Sequence, residues 1–259
     1  MKEFIKKGRC IWCLEGKPKV SFFNEPHTIT KKLGATNIGF DICDSCNTYF
    51  GEVDKRSPYS MSPELAFKEI FNVMRFLLVV KKDANAWKEL KSIYFEYRDS
   101  KKALVVKRKF EVTHKFIANL TNQFKRGIYE VFLQEYHRCT ENGLDDRFDA
   151  IRNFARKDVG DLPIYFMEGN GIYFITDDIN NPSLSFTSEV LTDINSYGFY
   201  KIWFAGCIFF LAVTPRAELT REVYLRKMSQ ELNGSGNLFK GVRKMKYVTD
   251  LDFYIKKST

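Results

Sequence analysis

Hydrophobic residues recur at helical spacing in the middle of the chain and alternate more like strands toward its end. Ser62, Pro63 and Glu64 are typical of a helix N-terminus, and one apolar helix face follows them. That face comprises Leu65, Ile70, Phe71, Met74, Leu77 and Leu78. The pattern predicts further helices at 84–97, 112–138, 147–157 and 218–232. It predicts strands at 162–167, 171–176, 184–188 and 199–214, the last divided or bent near 205–206.

The first 56 residues lack this helical periodicity. They are rich in Cys, Gly, Pro and Asn, and so short a segment needs a metal or another cross-link to fold. A polar break at 54–64 separates them from the rest. The predicted fold class is therefore α+β, with a small zinc-stapled domain at 1–56. A larger domain at 62–259, helical and then antiparallel sheet, follows it.

Two CxxC motifs give the strongest chemical signal. Cys10 and Cys13 form the first, and Cys43 and Cys46 form the second after 29 intervening residues. Two such pairs complete the tetrahedral four-sulfur shell that zinc prefers, and a closed shell of this kind is structural and not catalytic. The alternative is two unrelated redox-active pairs. Thiols kept reduced in this way indicate a cytoplasmic protein.

The chain carries a net charge of +9, which favours an anionic partner such as nucleic acid. Its most apolar stretch, 202–213, is too short to span a bilayer, so no membrane partner is expected. Residues 1–40 hold eight Lys or Arg and three Glu, and residues 221–247 hold seven Lys or Arg and two Glu. The side chains predicted to contact phosphates are Lys6, Lys7, Arg9, Lys17, Lys19, Lys31 and Lys32.

The segment around these motifs resembles the HNH endonuclease superfamily, in particular its zinc-ribbon branch. The resemblance rests on CIWC at 10–13, PHTITKKLG at 26–34, Asn37 and CDSCNTYFG at 43–51, and continues weakly at 147–154. It implies a ββα-metal fold that hydrolyses phosphodiester bonds of DNA with Mg²⁺ or Mn²⁺, RNA remaining open. Bacterial members of this layout resemble defence or mobile-element effectors.

The resemblance also implies roles for individual residues. His27 is the expected general base, since an imidazole can take a proton from water at neutral pH. Asn37 is expected to orient His27, and Asn47 to be a ligand of the catalytic cation. An amide oxygen suits a hard cation such as Mg²⁺.

One position departs from the family pattern. Most members have an acidic residue or histidine just before the base histidine, whereas this chain has Pro26 there. Glu25 is then the expected second ligand of the catalytic cation, with Asp41 or Asp44 as less favoured substitutes. Otherwise the metal is held weakly or activity is lost, which would leave a non-catalytic zinc-ribbon nucleic-acid-binding protein. Residues 62–259 are expected to regulate, to recognise a target, or to form a homodimer or bind a partner protein.

Overall fold

The computed structural model confirms a mixed α+β protein. It describes residues 2–53, 59, 61–80, 90, 92–98, 100, 103–108, 110–169, 184–204, 206–234, 236, 238–251 and 255–256. The helices are α1 (Asp44–Gly51), α2 (Pro63–Val80), α3 (His114–Thr140), α4 (Asp149–Ile151), α5 (Ser188–Tyr197) and α6 (Arg216–Asn233). A π-helical turn, Arg152–Arg156, continues α4.

The strands form two sheets. The first has the order β1 (Phe95–Arg98), β2 (Ala103–Val106) and β7 (Ile255–Lys256), with β1 antiparallel and β7 parallel to β2. The second is fully antiparallel. Its order is β4 (Phe199–Phe204), β5 (Cys207–Ala212), β3 (Ile164–Glu168) and β6 (Arg243–Lys244). Among the described strands, β4 and β6 are the edges of this sheet.

Helix α3 runs through the middle of the core. Nearly all its side chains from Phe124 to His137 are buried, the charged ones included. Gly127 allows α2 to approach closely, because a Cβ there would lie 2.4 Å from the carbonyl oxygen of Pro63. The same hydrophobic core includes Trp12 and Phe50, so the cysteine-rich segment packs onto the rest of the chain. The predicted domain boundary at 56–62 falls largely on residues outside the described part.

Most predicted elements are present, and two were wrong in type. The helices at 63–80, 114–140 and 216–233 match the pattern, and the strand pair around Gly206 divides where expected. The predicted helix at 84–97 is wrong at its end, where β1 forms, and 84–89 lie outside the described part. The predicted strand at 184–188 is wrong: 184–187 is irregular and Thr187 caps α5, its hydroxyl accepting from Val190 N at 3.4 Å. Partial burial of Leu184 and Phe186 against the core had mimicked strand alternation. The predicted strand at 171–176 also lies outside the described part.

Within the described residues, no helix combines the length and apolar character needed to cross a bilayer.

Glu130 of α3 is a buried acid whose environment opposes ionisation. Burial is the main cause that raises the pKa of Glu130 well above its ordinary value, and the charge of Glu64 adds to it. Gln134 Nε2 donates to Glu130 Oε1 at 3.0 Å, whereas Glu130 Oε2 and Gln134 Oε1 are buried with no hydrogen-bond partner among the described residues. The folded environment therefore favours the protonated carboxyl.

We expect Glu130→Gln to stabilise the fold at pH 8 and to have little effect near pH 4.5. The unfolded carboxyl ionises above about pH 4.5 while the folded one stays protonated, so wild-type stability falls as the pH rises toward the folded pKa. A glutamine cannot ionise, and its amide can donate to Gln134. Urea denaturation at both pH values measures the difference. An equal effect at pH 4.5 and pH 8 would contradict the assignment.

Candidate functional site

The four CxxC cysteines form one cluster. Their sulfurs all lie within 4.8 Å of one another, and Cys10, Cys43 and Cys46 are fully buried. Among the described residues, it is the single group of three or more Cys, His, Asp or Glu ligand atoms close enough to share a metal ion. The cluster is compatible with structural zinc binding, as the sequence predicts.

The surroundings of the sulfurs suit thiolates. Cys10 Sγ accepts backbone N–H groups of Trp12 and Cys43, both at 3.4 Å, and Arg156 Nε donates to Cys46 Sγ at 3.3 Å. Hydrogen bonding with Cys13, the largest cause, raises the pKa of Cys10. The same interaction lowers the pKa of Cys13 to about 7. A divalent cation would favour the thiolate form of all four.

A short hairpin and a helix follow the first knuckle. His27 and Ile38 form an antiparallel bridge, flanked by hydrogen bonds from Gly39 N to Pro26 O (2.8 Å) and from Thr28 N to Asn37 O (3.2 Å). Helix α1 then starts at the second knuckle. Its Asp44 side chain accepts from the backbone N–H groups of residues 23 and 24. A single β-bridge and then a helix therefore lie between and beside the two knuckles.

Glu25 and His27 are brought together at the base of this hairpin. His27 Nε2 lies 2.8 Å from Glu25 Oε1, and Lys31 Nζ lies 3.5 Å from the same oxygen. The imidazole is 18 % exposed and Nδ1 is buried with no hydrogen-bond partner in the part of the chain that the structure describes, so Nε2 is the nitrogen on the solvent side. Since Glu25 is exposed, this acid–imidazole pair is open to a ligand.

Asn37 does not meet His27. Its amide donates to both carboxylate oxygens of Glu135, at 3.2 and 3.3 Å, and the Thr28 hydroxyl donates to Glu135 as well. Glu135 is fully buried on α3 and also accepts two hydrogen bonds from Arg138, at 2.8 and 2.9 Å. Glu135 therefore anchors the hairpin that carries His27. Sequence reasoning missed it because it lies 98 residues from Asn37.

The remaining predicted ligands differ in their surroundings. Asn47 is half-buried in the first half of α1, and no hydrogen bond within the described part joins it to His27 or Glu25. Asp41 is buried, accepting from His137 Nε2 at 3.0 Å and from the backbone N–H groups of Lys6 and Lys7. Burial raises the pKa of Asp41, but these bonds outweigh it and hold the pKa below its ordinary value. Both carboxylate oxygens of Asp41 therefore accept hydrogen bonds that stabilise the fold.

The predicted phosphate contacts are largely paired within the protein. Lys6 and Lys7 both bridge to Glu141, at 3.0 and 2.7 Å. The Lys17–Glu3 pair lies at 2.5 Å, Lys19–Glu15 at 2.9 Å and Lys31–Glu25 at 3.5 Å. Arg9 Nε donates to a backbone carbonyl, and the side chain of Lys32 lies outside the described part. Their net field is weaker than the count of basic residues suggests.

We expect Glu135→Gln to destabilise the protein by about 1–3 kcal/mol. The substitution removes a charge that four donors satisfy and turns an amide toward them, which leaves buried groups unpaired. Urea denaturation of the full chain measures the change. Glu141→Gln, at an exposed acid, is the matched control and should stay close to wild type. Equal behaviour of the two variants would show that Glu135 does not anchor the hairpin.

A second anchor, Arg152, lies under the first knuckle. Its guanidinium donates to the carbonyl oxygens of Ile11 (2.7 Å), Gly143 (2.7 Å) and Asp145 (3.1 Å). The sequence predicted a helix over the segment that contains it, and a weak family resemblance covers that segment, but neither assigned a role to Arg152.

Comparisons with family models, curated proteins and solved structures found no match to this chain.

Proposed function

We propose that this protein is a metal-dependent endonuclease of the HNH type. The observation that carries the proposal is the Glu25–His27 pair, with 2.8 Å between Oε1 and Nε2, on a hairpin that leads into a helix held by four cysteines. A carboxylate beside an imidazole is a usual arrangement for proton transfer. We assign the four-cysteine site to zinc, with a structural role.

His27 would act through Nε2, the nitrogen on its solvent side. Glu25 occupies that nitrogen in the resting protein and would leave it when a substrate and its cation bind. The imidazole would then take a proton from a water molecule as that water attacks the phosphorus and the bond from phosphorus to the 3′-oxygen breaks. The 3′-oxygen would leave as an alkoxide and take a proton from solvent, and the imidazolium would return its proton to solvent. Such a base contributes about 10²–10⁴-fold to the rate.

The catalytic cation would be held by few protein groups. Mg²⁺ keeps several waters and is bound by one or two carboxylates together with substrate phosphates. Within the described residues, both contacts of Glu25 involve Oε1, so Oε2 is available to bind the cation. Asn47 is the further candidate ligand. When bound, the cation would neutralise charge on the phosphate.

A second candidate is a zinc-stabilised nucleic-acid-binding protein without cleavage. Two observations favour it: Asn37 is occupied by Glu135, and the position before His27 is a buried proline. The wider role implied by the family, bacterial defence or mobile-element biology, would suit either candidate.

We expect His27→Ala to lower the rate of DNA cleavage by at least about 100-fold without changing the fold. The measurement is plasmid nicking by zinc-loaded protein with added Mg²⁺ or Mn²⁺. His114→Ala is the matched control, because His114 is exposed and bonds only to Tyr247 among the described residues.

If His27→Ala cleaves DNA at the wild-type rate, His27 is not the general base and the enzyme proposal is contradicted. No cleavage by the wild type under any divalent metal, with DNA binding intact, would favour the non-catalytic candidate.

A further inference from the structure

The edge strand of the second sheet carries a row of exposed cations. We define the basic edge as Lys240, Arg243, Lys244 and Lys246, all exposed. Strand β6 pairs with β3 on one side, and no strand of the described part covers its other side. This is the segment in which the sequence concentrates positive charge near the C-terminus, and the proposed nuclease site does not use it.

One acidic side chain holds two of these cations, and the basic edge keeps a net positive charge. Lys240 Nζ and Arg243 Nη2 both contact Glu168 Oε2, at 3.1 and 2.6 Å, while Glu168 is 7 % exposed. The Arg243 guanidinium also lies over the Phe166 ring, 4.7 Å from its centre. One buried carboxylate thus orders two cations that remain about half exposed. No acid within the described part is recorded as an ion-pair partner of Lys244 or Lys246.

An exposed aromatic ring on the opposite edge strand, β4, reaches the start of this segment. Trp203 of β4 is 51 % exposed, and its ring meets that of Phe239 edge-on at 5.5 Å. Phe239 directly precedes Lys240 and bridges to Gly169 beyond the end of β3. The segment 239–246 therefore leads from the indole along the sheet edge.

We propose that Trp203 and the basic edge form a binding track for single-stranded nucleic acid. The cations would contact successive phosphates, and the indole would stack on one base. A duplex keeps its bases stacked inside, so none of them is available to stack on the indole. Charged edge strands also prevent sheet-to-sheet aggregation, but that role does not require an exposed indole at the start of the row.

The track predicts how affinity responds to substitution. Loss of one base stack weakens binding of a single strand by about tenfold or more. Each lost phosphate contact also lowers the slope of log affinity against log salt by about 0.7. We therefore expect Trp203→Ala to weaken binding with the salt slope unchanged, and Trp203→Phe to restore most of it. The double variant Lys244→Glu/Lys246→Glu should weaken binding and flatten the slope.

Fluorescence anisotropy with labelled oligo(dT) and oligo(U) tests this on the full, zinc-loaded chain, without added Mg²⁺ or Mn²⁺. The double variant Lys115→Glu/Lys157→Glu makes the same change in net charge at two exposed lysines outside the edge. Stronger loss in the edge variant than in this control, together with the Trp203→Ala loss, is the expected result. Equal losses in both double variants, or unaltered binding by Trp203→Ala, would overturn the proposal.

The outcome is separable from that of the nuclease proposal. Binding is measured without the catalytic cation, so His27→Ala should bind as the wild type does. Should cleavage prove absent, the track would still be tested by its own variants. Tighter binding of a duplex of the same length than of the single strand would also overturn it.

Discussion

Cys43→Ser should abolish zinc binding and destabilise the protein by at least about 5 kcal/mol. Cys43 is fully buried and its sulfur lies 3.7 Å from that of Cys13, so it joins the two knuckles. Structural zinc contributes about 10–16 kcal/mol of binding free energy in small metal-folded units, and that energy is available only to the folded chain. The metal content per chain and the thermal unfolding temperature are the two measurements.

The damage should not stay within the first 56 residues. Cys43, Trp12 and Phe50 belong to the same hydrophobic core as α3, so opening of the knuckles exposes apolar surface on both sides. Cys139→Ser is the control, since Cys139 is an exposed thiol outside the cluster. A Cys43→Ser protein that retains one zinc and unfolds like the wild type would show that the cluster does not staple the fold.

The four-cysteine cluster could be predicted because its information is local. A CxxC turn places two sulfurs on one side of the chain whatever surrounds it, and two such turns need only one more contact to form a four-sulfur shell. The same holds for α2, whose first turn is set by Ser62 and Pro63: the Ser62 hydroxyl accepts from Leu65 N at 3.3 Å. Contacts between residues this close along the chain can be predicted from the sequence alone.

The contacts around His27 could not be predicted in the same way. Glu135 reaches Thr28 and Asn37 across about a hundred residues, and nothing in the hairpin indicates which buried acid will meet it. The pairing of Lys6 and Lys7 with Glu141 has the same long-range origin. Counting charges along the chain therefore overstated the free positive charge near the proposed site.

Buried polar residues of α3 explain why its role was also missed. A helix with acidic, basic and amide side chains on every face is expected to lie at the surface. Here Glu135 and His137 are buried because other segments supply their hydrogen-bond partners. Glu130 is buried as well, and its burial raises its pKa and so favours the neutral acid. The pattern predicted the helix and its length, but only the packed structure identifies it as the core onto which the hairpin is fixed.

Arg152→Met should destabilise the protein by about 3–5 kcal/mol and speed the release of zinc to a chelator. Methionine replaces the volume but leaves the carbonyls of Ile11, Gly143 and Asp145 without their donor, and breaking a buried charged network costs this much. Ile11 lies between the cysteines of the first knuckle, so its loosening should reach the metal. Urea denaturation and chelator competition give the two readouts, with the exposed Lys157→Met as control. If the Arg152→Met protein is destabilised but releases zinc at the wild-type rate, Arg152 stabilises the core without supporting the metal site.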